Sequence, residues 1–402
     1  MTGDDTAGFL VDDAERVAAI AGEIASAGAF AFDLEFVSED RYVPELALVQ
    51  LAWGDPAAPA LAAVDPLVVD VAPLLALVAD PAIEVVAHAA RQDLGLLATV
   101  FGVTARHLVD TQIASAFAGL ADQIGYARMV QRLFGVTIDK GHQHTDWKRR
   151  PLSDAQLRYA LDDVRHVLPA WRDLAAQLGA LGRVEWAREE SDRLARGAAQ
   201  RRAPDEAYRG VGGWTGLRPA QLAALRELAG WREREALSSN TPPSWIATDP
   251  VLLEIARRAP VDLRELGRVR GVQSGLVRKY GEGMVAALGR AAGQTLAVDA
   301  PPPLGGRGQA QAAMVSAIVQ ARASEADVPA RLVGARADAE ALVAAFEETG
   351  AGTGLLTEGW RHELAGRDAL AWLRGEVALV AEPAAAGGVR LLPVAESPIR
   401  RT

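Results

Sequence analysis

Residues Ala31–Phe36 read AFDLEF, and the rest of the chain takes its meaning from them. The run is apolar and β-prone, and it carries two carboxylates, Asp33 and Glu35, with one residue between them. Side chains on a strand alternate between faces, so Asp33 and Glu35 project to one side and Leu34 to the other. Two carboxylates together on a largely buried strand repel each other and lose hydration. A divalent cation between them relieves both penalties, and hard oxygen donors suit Mg²⁺ or Mn²⁺. An ordinary strand with one wet face gives the same letters, so the reading depends on partners elsewhere.

The chain has 402 residues, half of them apolar, enough for two or three globular domains. It has no cysteine, which excludes disulfides, thiolate metal sites and cysteine nucleophiles. The N-terminal MTGDDTAGF is acidic and lacks the apolar segment of a signal peptide. The longest apolar runs, such as Leu67–Ala79, are broken by Asp70 and Pro73 and do not span a bilayer. A soluble cytoplasmic protein without a membrane partner is expected. The net charge of −10 argues against indiscriminate nucleic-acid binding. The cations are nevertheless clustered. Lys140, Lys148, Arg149 and Arg150 face a single Asp146, and Arg257–Lys279 carries seven cations against Asp262 and Glu265. Most are arginines, whose guanidinium forks suit phosphate. No GxxxxGK[ST] phosphate loop occurs.

Periodicity predicts strands at Gly8–Val11, Ala29–Phe36, Leu46–Trp53, Leu61–Val69 (interrupted at Asp65-Pro66), Ile83–Ala87 and His107–Val109. It predicts a helix capped by Asp12 and running to Ala27. Further helices are expected at Pro73–Ala79, Arg91–Val100, Asp110–Ala118, Ala121–Phe134 and Ser153–Leu178. This describes an α/β domain on a mixed sheet over residues 1–182. Past Arg183 the strand signal stops. An Arg-rich helical connector (183–213), a small all-helical domain (214–290), a Pro/Gly linker (291–308) and a second all-helical domain (309–375) follow. The tail, 376–402, reads as loose or as a short hairpin.

Three further features bear on the AFDLEF strand. Asp93 in AHAARQDLGLL sits at the head of a helix after a buried strand, near the sheet edge where α/β sites form. Asp110 in LVDTQIA reads as an N-cap. In QLRYALDDVRHVLPAW, Tyr159 and Asp163 are four apart and share a helix face, while Asp162 lies about a hundred degrees round.

Asp-x-Glu on a strand, a later helical Asp, then Tyr-x-x-x-Asp resembles, in this order, the DEDD superfamily of 3′–5′ exonucleases on the RNase H-like fold. Arg158 stands where the sister branch has histidine, so the tyrosine branch fits. The resemblance implies that Asp33, Glu35, Asp93 and Asp163 hold two divalent metal ions, Mg²⁺ or Mn²⁺, and that Tyr159 orients the attacking water. HAARQDL, VDTQIA, DWKRRPLS and YALDDV look like ribonuclease D sequences. The segment LAALRELAGWREREALSSNTPPSWIATDPVLLEIARRAP resembles the helicase-and-RNase-D C-terminal (HRDC) module, and Gln309–Arg374 resembles a second, more divergent copy. Two departures stand out. Leu34 replaces the threonine common in the family, and Asp162 beside Asp163 leaves the last ligand to be selected by its spacing from Tyr159 alone.

The implied activity is 3′–5′ exoribonucleolytic trimming of RNA 3′ ends, with tRNA precursors as the substrate, nucleoside 5′-monophosphates as products, and a monomeric enzyme. Alternatives are a DNA exonuclease of the same superfamily and a non-catalytic RNA-binding scaffold. Arg91 and Gln92, beside Asp93, are candidate contacts for the scissile phosphate; Lys148, Arg149 and Arg150 for the substrate backbone; and Phe36, with Trp147, for a terminal base. The Arg257–Lys279 segment is a candidate site for the RNA body. His88 reads as a satisfied buried histidine.

Overall fold

The structure, a computed structural model, describes residues 9–138, 141, 145–200, 202–298 and 304–394. Lys140, the start of the first predicted strand, the middle of the linker and the end of the tail lie outside them. Six strands form the larger sheet: β1 (Leu10–Val11), β2 (Ala29–Val37), β3 (Glu45–Trp53), β4 (Ala60–Val64), β5 (Glu84–Ala87) and β6 (Leu108–Asp110). Their order is β1-β4-β3-β2-β5-β6. β3 runs antiparallel to both neighbours, while β5 and β6 follow β2 in parallel. The sheet is therefore mixed, with the AFDLEF strand near its centre.

Apolar residues of the central strands supply two layers. Phe32, Leu34, Val49 and Leu51 pack with Ile20 and Ile24 of helix α1 (Ala14–Ala27) and Leu74 of α2 (Ala72–Val78). Ala31, Leu48, Ala52 and Val86 pack on the opposite face with Ala160, Leu161, Trp171 and Leu174. Asp33 and Glu35 share the second face with these residues, as the alternation at Leu34 requires.

Local chemistry moves several boundaries. Asp13, rather than Asp12, caps α1, accepting from the Arg16 amide at 2.7 Å. β4 stops at Val64, and residues 67–69 form a turn instead of strand. Asp65 accepts the Leu67 amide there at 3.0 Å, and Pro66 has no N–H to offer a ladder. After α3 (Arg91–Leu96), residues 97–101 widen into a π turn closed by Gly102 in the left-handed region. α4 spans Thr111–Phe117, and α5 begins only at Tyr126, ending at Phe134. The predicted helix Ser153–Leu178 is two helices, α6 (Asp154–Arg165) and α7 (Val167–Leu181). Pro169 crowds the carbonyl four residues back, that of Arg165, where α6 ends.

α8 (Val184–Ala199) leads out of this domain to α9 (Pro219–Ser239), the long helix of the first helical module. That module has its own apolar core, which includes Leu225, Leu228, Ile255 and Met284. The second module is different. Its Val315, Leu342 and Trp360 belong to the same contiguous core as Phe117 and Leu161 of the α/β domain. Trp360 meets Phe117 edge-on at 4.9 Å between ring centroids and stacks on Trp186 at 5.2 Å. The buried Arg361 pairs with the buried Glu190 of α8 at 2.5 Å. Residues 377–381 and 389–393 pair as an antiparallel hairpin. Among the described residues, no helix is long and apolar enough to cross a membrane.

Candidate active site

β2 delivers Asp33 and Glu35, and α6, which crosses the same sheet face, delivers Asp163. One carboxylate oxygen from each lies within 4.8 Å of the others. Asp93, buried at the head of α3, lines the same cleft, together with Phe36, Gln92, Trp147 and Tyr159. Asp162 faces away, paired with Arg165 at 2.9 Å. Of the two adjacent acids, Asp163 is the one that joins the cluster.

The carboxylates by themselves are electrostatically unfavourable neighbours. Burial pushes Asp33 up to about 7. Burial, then repulsion from Asp33, Asp163 and Asp93, pushes Glu35 up to about 9. Asp163 rises to about 8, mainly through burial and then Asp33, against an opposing hydrogen bond from Tyr159. Asp93 is raised well above the carboxylate range by burial and then by Asp33. Four acids that resist ionisation side by side are a donor set matched to hard divalent cations. The Tyr159 phenol donates to Asp163, and its own acidity is suppressed by burial and then by that carboxylate. It is a hydrogen-bond donor that keeps its proton.

A β-bulge shapes this edge. Glu35 pairs with Leu48 but Phe36 pairs with Leu46, so Ala47 is skipped in the ladder. Such bulges re-aim neighbouring side chains. Arg150 takes up the Ala47 carbonyl with Nη2 at 2.8 Å. It also forks onto the buried Asp65, Nε to Oδ2 at 2.5 Å and Nη2 to Oδ1 at 2.7 Å, and reaches the Trp147 carbonyl with Nη1 at 2.6 Å. Contrary to its reading as a substrate contact, the Arg150 guanidinium is used up inside the protein, binding the segment before α6 to the sheet. Lys148 pairs with Glu45 at 2.7 Å, and Arg149 is exposed. Arg91 opens not onto the acidic cleft but onto an adjoining polar cavity bordered by α4, α8 and the second helical module. His88 is half-buried and satisfied, Nδ1 lying 2.9 Å from Thr111 Oγ1 and Nε2 3.0 Å from the Ile124 carbonyl; burial lowers its pKa.

Sequence reasoning missed three supporting residues. Asp110 caps α4 as expected, but its carboxylate also accepts the amides of Ala89 and Ala90 at 3.1 and 3.0 Å. It thereby holds the turn that presents Asp93, in which Ala89 has φ +57°. The Tyr126 hydroxyl bridges Asp162 and His166. Gln50 stands opposite Asp33 in the β2–β3 register, fully buried, with neither amide atom hydrogen-bonded among the described residues. A lone glutamine in an apolar LVQLAW run was the available signal.

Comparison with known proteins identifies the domains. A family model for the 3′-5′ exonuclease domain matches residues 9–179, and one for the HRDC domain matches residues 221–288. Ribonuclease D of Acidiphilium cryptum is 38% identical over 382 residues, covering 92% of this chain and 94% of the relative. The chain belongs to the ribonuclease D family. Ribonuclease D of Escherichia coli K12 is 36% identical over 295 residues, 73% of this chain and 76% of its own. The crystal structure of Escherichia coli RNase D, described as an exoribonuclease involved in structured RNA processing, superposes with a TM-score of 0.80 at 30% identity. It covers 91% of this chain and 98% of that one. As a ribonuclease D, the enzyme is a 3′–5′ exoribonuclease of the DEDD superfamily, a divalent-metal-dependent class, and its acidic cluster lies within the matched exonuclease domain.

Proposed function

We propose that this enzyme removes nucleotides singly from RNA 3′ ends as nucleoside 5′-monophosphates, with Asp33, Glu35, Asp93 and Asp163 holding two divalent cations. The observation that carries the reading is the convergence of half-buried carboxylates from β2 and α6, with a protonated phenol hydrogen-bonded to one of them. When bound, such cations supply an activated water and relief of charge at the departing 3′-oxygen. Tyr159 keeps its proton and orients the attacking water rather than deprotonating it. Gln92 and Phe36 meet the terminal nucleotide, and the exposed Arg149 meets the backbone behind it. Arg91 holds phosphate at the neighbouring cavity.

Structured RNAs such as tRNA precursors are the proposed substrates, supported by the description of the Escherichia coli relative. Residues 1–182 serve as the exonuclease domain and 183–213 as its connector. Residues 214–290 and 309–375 act as paired HRDC-like modules in a monomeric enzyme, with 291–308 as linker and 376–402 as tail. A DNA exonuclease would need to forgo contacts to the 2′-hydroxyl.

Digestion of 3′- and 5′-labelled RNA with Mg²⁺, with Mn²⁺ or with EDTA tests polarity and metal use together, and a matched DNA oligomer tests sugar preference. Asp163→Asn is expected to abolish RNA digestion. Parent-level digestion by that variant would overturn the assignment.

A further inference from the structure

The loop between β2 and β3, residues 38–44, begins at Ser38 and Glu39 on the rim of the acidic cleft. Its outer end is held by a residue two hundred positions away. Asn240 follows α9 as its C-cap, in the left-handed conformation at φ +46°. Its Oδ1 accepts the backbone amides of both Tyr42 and Val43, at 3.1 and 2.9 Å. The Tyr42 hydroxyl donates to Glu233 of α9 at 2.9 Å, and the Tyr42 ring packs against the core of the first helical module.

The grip extends across the cleft. Arg41 and Lys148 both pair with Glu45, Lys148 at 2.7 Å. Lys148 adjoins Trp147, which also lines the cleft. Loop amides outside a ladder need acceptors, and here one side-chain oxygen of another module supplies two.

We propose that Asn240 is a positioning residue for catalysis. By accepting from Tyr42 and Val43, it holds the β2–β3 loop, and through it the rim at Ser38 and Glu39, in the shape that admits a 3′-terminal nucleotide. The first helical module then acts on the catalytic step itself, besides any role in binding the RNA body. This rests on the cleft being the site of hydrolysis.

The test uses the full chain with Mn²⁺ and the p-nitrophenyl ester of uridine 5′-monophosphate. That substrate carries nothing upstream of the scissile phosphate with which to touch the helical module. Asn240→Gly removes the acceptor yet accommodates the left-handed backbone. It is expected to lower kcat/KM on the ester about tenfold at an unchanged melting temperature, with faster amide exchange at Tyr42 and Val43. Asn240→Asp retains an acceptor oxygen and is expected to restore the parent value. Tyr42→Phe, which releases Glu233 and leaves the Asn240 contacts in place, should give a smaller loss in the same direction and serves if the glycine variant does not fold. Parent-like turnover of the ester by Asn240→Gly (or by Tyr42→Phe, if that glycine variant is lost) overturns the proposal, even if long RNA is cut more slowly. Failure of Asn240→Asp to rescue overturns it too. Loss of the underlying site reading looks different: Asp163→Asn would then hydrolyse the ester normally.

Discussion

The Tyr126 hydroxyl donates to the Asp162 carbonyl at 2.7 Å and accepts from the His166 amide at 3.2 Å. In an unbroken helix those two backbone groups would bond to each other. A side chain inserted into the ladder, with Pro169 just beyond, is a sufficient cause for the break between α6 and α7. The insertion lies beside Asp163, so the break helps set where that carboxylate points. Tyr126→Phe is expected to cost about 1–2 kcal/mol of stability, as half-buried backbone groups lose their partner. It should also weaken Mn²⁺ binding severalfold; urea unfolding and calorimetric titration would measure the two effects.

Gln50 makes the opposite trade. An unpaired buried amide costs roughly 1–3 kcal/mol, so Gln50→Leu should raise the urea midpoint of the metal-free protein. If the amide serves Asp33 once the site is loaded, as partners of metal ligands commonly do, the same variant should bind Mn²⁺ less tightly. Titration of parent and variant side by side separates the two effects.

The raised carboxylates fix a pH dependence. Asp33, Glu35 and Asp163 hold protons in the folded protein up to about 7, 9 and 8, whereas in the unfolded chain they release them near pH ~4. Between those limits the folded state binds more protons, so stability falls as pH rises. Melting temperature in EDTA should therefore drop progressively from about pH 5 to 9. Saturating Mg²⁺ should remove most of that slope, because metal binding replaces the protons.

Tyr159 is predicted to act through orientation. Tyr159→Phe should lower kcat by about a hundredfold and leave Mn²⁺ affinity nearly unchanged. The pH–rate profile should keep its shape, because the phenol does not ionise in the working range. Loss in the variant of a limb that rises with pH would instead identify Tyr159 as the base.

Arg150 separates structure from recognition. Arg150→Ala leaves Asp65 buried without its counter-charge and is expected to cost about 3 kcal/mol. Arg149→Ala should leave stability unchanged and raise the apparent KM for RNA. Denaturation and steady-state kinetics on the two variants would distinguish these outcomes.

What the sequence made legible was local. Alternation around Leu34 put Asp33 and Glu35 on one face, and the four-residue spacing from Tyr159 selected Asp163. Both follow from the repeat of a single element. Arg150 was misread because its partner, Asp65, lies 85 positions earlier, and nothing in KRRP distinguishes a guanidinium that meets RNA from one that meets a carboxylate. The division of Ser153–Leu178 was hidden for the same reason, since half its cause is a tyrosine 36 residues upstream of Asp162. Pro169 was visible as a local warning.

The aromatic junction of Phe117, Trp186 and Trp360 has a consequence for synthesis. The ribosome finishes every catalytic acid long before it reaches Trp360, and until then Phe117 and Trp186 lack the ring that covers them. A nascent or prematurely terminated copy therefore carries its nuclease residues together with a bare sticky face. That face is closed only once the second helical module, which carries Trp360, has been made.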